Sequence, residues 1–219
     1  MLLKEIKILS GKEIRLEIKQ KYVLNGILLY LVSTILIAYL AFSRVIDPET
    51  WNSLFWIILL FVAVNSISKS FVQESPSRLI YYYTLSSPQG ILLSKILYNG
   101  LLMILLAGLS SGLFILLMGN RILNFPLFLA VLFLGSIGLS STLTMVAAIA
   151  SRASNNFSLI AILSFPIILP LLLILVRVSS SALNTVGWAG NAGWLILLIM
   201  IDITVILLAF ILFPYIWKE

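Results

Sequence analysis

Six stretches of this 219-residue chain are apolar for long enough to cross a bilayer: residues 23–42, 51–67, 91–118, 126–150, 159–176 and 194–217. A helix needs roughly 20 apolar residues to span the ~30 Å hydrocarbon core, and no water there can satisfy an open backbone. The expected fold is therefore an all-α integral membrane protein, a six-helix bundle forming one domain over residues 1–219. With 61% hydrophobic and 10% charged residues, the chain has too little polar surface to coat a soluble globule.

The few charges give an orientation. Lys4, Lys7, Lys12, Arg15, Lys19 and Lys21 precede the first apolar stretch. Lys69, Arg78, Lys95, Arg152 and Lys218 fall on the same side of a six-span topology, which leaves only Arg44, Arg121 and Arg177 opposite. Cytoplasmic flanks collect Lys and Arg, so both ends are expected in the cytoplasm, with no role for nucleic acid despite the net charge of +6. Trp51, Trp188, Trp194 and Trp217 sit at span ends, where indoles favour the lipid headgroup layer. Residues 1–22 mix apolar and basic positions and read as a cytoplasmic amphipathic helix held on anionic lipid, although Glu13 to Lys19 alternates as a strand would.

The chain has no Cys, and its His count is 0, which removes disulfides, thiolate chemistry, imidazole bases and the usual transition-metal sites. Gly11-Lys12 lacks the earlier Gly and the following Ser or Thr of a phosphate-binding loop, so ATP hydrolysis is not expected from this chain. Asp47 and Glu49 flank Pro48 as a solvated turn. Asp202 differs, lying about 12 Å inside the last span at 1.5 Å per residue. A deep carboxylate costs about 2.5 to 3.5 kcal/mol to insert, so it is either an ion-path residue or a neutral or hydrogen-bonded packing device.

Gly108 and Gly112 form a GxxxG, while Gly135, Ser136, Gly138, Ser140 and Ser141 line the fourth span. Both patterns permit close helix packing, in the bundle or between two copies of the chain. Pro166 and Pro170, four apart, are expected to kink or break the fifth span. The segment from 68 to 90 is long and aromatic for a solvated loop. With Pro76 in a first turn, Leu79, Tyr82 and Tyr83 would share one face of a short helix, close to Glu74 and Arg78.

At this segment the chain resembles the haem exporter protein B family, the membrane subunit of the ABC-type cytochrome c maturation transporter. The resemblance rests on Phe71, Glu74, Leu85, Ser87, Pro88 and Lys95, on the Pro166 and Pro170 pair, and on the six-span layout. It implies a subunit without ATPase activity, paired with a separate ATP-binding subunit, with haem-handling membrane subunits and with a periplasmic haem chaperone. It also makes the loop from 68 to 90, through Glu74, Arg78, Leu79, Tyr82, Tyr83, Ser87 and Pro88, the point where motion enters. No cofactor is expected on this chain: ATP stays on a partner, and the complex handles haem. A permease of another ABC exporter, for lipid or drug, and an ion carrier built on Asp202 remain alternatives.

Overall fold

The computed structural model describes residues 2–19, 21–42, 46–67, 87–153, 157–184 and 188–218. They form seven helices: α1 (Leu2–Lys19), α2 (Lys21–Ala41), α3 (Pro48–Ile67), α4 (Pro88–Met118), α5 (Phe125–Ala153), α6 (Phe157–Leu183) and α7 (Trp188–Lys218). Six of these, α2 to α7, are long and apolar enough to cross a membrane, and no strand occurs among the described residues. The alternating stretch in residues 13–19 is thus helical, because α1 has a neighbouring helix to pack on.

Helix α5 is the centre of the bundle and packs on α3, α4, α6 and α7. Its small residues make this arrangement feasible. A Cβ added at Gly135 would stand 2.7 Å from Trp56 and 2.8 Å from Leu175, inside contact distance, so α3 and α6 reach α5 only over bare backbone. At Gly100 on α4, an added Cβ would meet the Ser140 hydroxyl at 3.5 Å, an ordinary contact that allows α4 to lie close as well. By contrast, Gly108 and Gly112 have nothing within 4 Å and face away from the bundle.

The end of the bundle farthest from α1 is built of interlocked rings. Trp51 meets Phe114 edge-on at 5.3 Å, and Phe55 meets Phe114 at 5.4 Å and Phe128 at 5.6 Å. Trp51 is wholly buried. It therefore belongs to the core, which corrects its expected place in the headgroup belt; an indole at a span end is equally well placed to point inward. Trp188 is half exposed, as a belt residue would be.

One span departs from its expected course in two ways. Helix α6 runs on to Leu183 instead of stopping at 176, because the Arg177 guanidinium lies 4.2 Å above the Trp194 ring and its charge is accommodated on the helix. It also passes without interruption through Pro166 and Pro170, so the break expected there does not occur. Both prolines lie on an exposed face, where the ring needs no room in the core.

Candidate functional site

The start of α4 is where sequence and geometry converge. Ser87 is its N-cap, in extended conformation (φ −70, ψ 142), and Pro88 follows in the first turn, where a missing N–H costs nothing. The Ser87 Oγ accepts from the Gly90 N–H at 3.2 Å and donates to the Glu5 carboxylate of α1 at 2.7 Å. Gly90 is required here, since an added Cβ would stand 2.9 Å from both the Glu5 Oε2 and the Ser87 Oγ. The Glu5 charge also lies beside the positive end of the α4 dipole.

Contacts continue along the helix. Ser10 Oγ points at the Ser94 carbonyl at a long 3.4 Å, and Glu13 Oε1 lies 3.8 Å from Lys95 Nζ and 3.4 Å from Lys12 Nζ. Residues 5, 10 and 13 thus meet 87, 94 and 95 in order, so α1 runs beside the start of α4 in the same direction. The N-terminal segment also makes a contact that its composition did not announce: one of its faces is committed to α4, with Ile6 buried. Lys95, counted from sequence as a flanking charge, is only 2% exposed. A lysine this buried needs a carboxylate close by, and α1 supplies it.

Of the residues expected to form the coupling segment, Ser87 and Pro88 are the ones placed in this junction. Glu74, Arg78, Leu79, Tyr82 and Tyr83, together with Phe71 and Leu85, lie outside the described residues. Sequence reasoning missed Glu5 and Glu13. Their signal was available: they are carboxylates in a segment otherwise rich in Lys, spaced eight residues apart on one side of a helix.

Asp202 is buried in α7 against Gly138 of α5 and near Leu171 of α6. Among the described residues neither of its oxygens has a hydrogen-bond partner. The hydrogen bond to a neighbouring helix, one of the two packing readings, is thus not found among the described residues, and the side chain occupies the space that Gly138 leaves open. Elsewhere the bundle does carry polar ties that sequence reasoning passed over. The Trp56 indole donates to Ser179 Oγ at 2.8 Å, which lies 2.7 Å from Asn52 Oδ1, and Asn52 Nδ2 donates to the Val176 carbonyl at 2.8 Å, fastening α3 to α6. Asn99 Nδ2 donates to Thr144 Oγ1 at 2.9 Å between α4 and α5. Polar side chains inside apolar spans were the available signal.

Among the described residues no three His, Cys, Asp or Glu side chains come together as a metal site. The family model described as CcmB protein matches residues 4–215. The chain belongs to the CcmB family. It is thereby a multi-pass membrane permease subunit of a haem exporter complex serving cytochrome c maturation, in a family whose ATPase is a separate subunit. No curated protein and no solved structure gives a match.

Proposed function

We propose that this subunit converts ATP hydrolysis on its partner into motion of the helix bundle, and that the force enters through residues 68–90 and α1 together. The observation behind this reading is the position of Ser87. It ends the aromatic segment, caps α4 and holds Glu5 of α1, so displacement of the segment would pull on α1 and α4 at once. In this reading Glu74, Arg78, Leu79, Tyr82 and Tyr83 form the surface met by the ATP-binding subunit, and Ser87 and Pro88 pass its motion on. The eleven-to-three distribution of Lys and Arg supports a cytoplasmic position for this surface and both chain ends, and the family supports a bacterial inner membrane.

The product of that motion is haem delivery by the partner membrane subunits or release of a loaded periplasmic chaperone. With no His and no Cys, this chain has only Met or Tyr to offer as axial ligands, which favours haem being held elsewhere in the complex. The outward face of α4 at Gly108 and Gly112 is where a second copy of the chain would pack.

Arg78→Glu combined with Tyr82→Ala tests the reading. Insertion in the membrane should be unchanged, while co-purification of the ATP-binding subunit and stimulation of its ATPase are lost. Charge reversal adds repulsion and should exceed the effect of Arg78→Ala. Wild-type recovery of the ATPase with the double variant would overturn the assignment.

A further inference from the structure

An apolar crevice of about 280 Å³ opens where α1 gives way to α2. It is lined by Ile14 of α1, Leu24 and Leu28 of α2, and Tyr98, Leu101 and Leu105 of α4. Leu101 and Leu105 are each 56% exposed, so the crevice faces the surroundings of the bundle at the depth of the spans. A second hollow, of about 490 Å³, follows the outer arc of α1 past Lys7, Gly11, Lys12 and Arg15. Ile14 of the crevice directly precedes Arg15 and lies three residues after Gly11, both of which line the second hollow, so the two hollows adjoin along α1. Among the described residues, Lys7 and Arg15 have no carboxylate in ion-pair reach; Glu13 is turned to Lys12 and Lys95.

We propose that these two hollows form one site for a single anionic phospholipid of the adjoining leaflet. Its phosphate rests on Lys7 and Arg15, and one acyl chain lies in the crevice against Leu28, Leu101 and Leu105. The juxtaposition selects the ligand. An aqueous protein partner has no apolar tail to place at the depth of Leu105, and a soluble phosphate would leave the crevice empty. A zwitterionic lipid brings a cation toward Lys7 and Arg15, whereas an anionic one brings only complementary charge. A lipid seated there would fill the angle between α1 and α4 without entering the Glu5–Ser87 contact.

The test is native mass spectrometry of the whole complex, stripped of lipid and titrated with phosphatidylglycerol or phosphatidylcholine. The wild type should retain one phosphatidylglycerol in preference to phosphatidylcholine. Lys7→Gln with Arg15→Gln should weaken phosphatidylglycerol retention about 25-fold, from ~1 kcal/mol per cation at ~1.4 kcal/mol per tenfold, and leave phosphatidylcholine retention unchanged. Leu105→Trp, at an exposed position, should lower retention of both by filling the crevice. Equal retention of the two lipids by the wild type would overturn the proposal. So would unchanged selectivity in the double variant, or loss of the ATP-binding subunit from that variant with lipid retention intact, which would make the arc a protein surface.

Discussion

Gly138 and Asp202 fit together at the level of single atoms: a Cβ at 138 would overlap the Asp202 Oδ1 and sit 3.0 Å from Leu171. Gly138→Ala should therefore destabilise the bundle by about 1–3 kcal/mol, the usual cost of overpacking. Asp202→Ala should recover most of that loss in the double variant, since it empties the contested space without breaking a hydrogen bond, and thermal unfolding in detergent measures both. Additive losses would show that the two residues do not contact. Asp47 illustrates a different residue-scale effect. Its carboxylate accepts from the Thr50 N–H at 2.9 Å at the start of α3, and hydrogen bonding by Thr50 holds its pKa below the usual carboxylate value. A depressed folded pKa means that the stabilisation is present above the unfolded value of 3.8 and disappears as pH falls through the folded one. Asp47→Asn should accordingly flatten the pH dependence of stability below about pH 4 and lower stability slightly at pH 7, where the carboxylate's contribution is fully present.

Between elements, the α1–α4 junction and the α3–α6 tie make separable claims. Ser87→Ala removes a cap and the hydroxyl that holds Glu5, so it should cost more than Glu5→Ala, by about 1 kcal/mol, the typical worth of a cap. Both changes should expose α1 to limited proteolysis before the spans loosen. Ser179→Ala should leave the Trp56 indole and the Asn52 carbonyl oxygen unpaired and cost about 1–2 kcal/mol; Trp56→Phe should cost less, because only one donor disappears. These contacts mark the limit of what could be read beforehand. Six spans were visible because their apolar length is imposed by the bilayer, and the bounds of α2 and α4 lie close to the expected ones. Which face points inward was not visible. In lipid, a core residue and a surface residue are equally apolar, so Trp51 looked like a belt residue, and nothing in hydropathy separated the outward Gly108 from the inward Gly135. Lys95 looked like a flanking charge because its partner, Glu13, is far away in sequence.

At the scale of the whole molecule, the absence of cysteine permits a direct test of topology. Cys introduced at Asn120 or Asn184 should react from one side of the membrane, and Cys at Ser77 or Asn155 only from the other. The first pair belongs together because the Leu123 and Asn124 N–H groups donate to the Ala182 carbonyl at 3.1 and 2.9 Å, bringing the α4–α5 connection to the end of α6. Reversed labelling of either pair would reject the six-span arrangement.

The ring cluster around Phe55 has a mechanical consequence. Trp51, Phe55, Phe114 and Phe128 interlock at one end of the bundle, where Asn52, Trp56 and Ser179 also cross-link α3 and α6. The opposite end is packed with Ala147, Ala148 and Ala150 among Leu92, Ile96, Met145 and Phe213, and no interlocked ring cluster is found there among the described residues. Under the proposed entry of force near Ser87, the ring cluster would serve as a fulcrum, the fixed end about which the other ends of the helices swing. Amide exchange should follow the same gradient, slowest around 55–60 and 110–116 and fastest around 88–96 and 145–150.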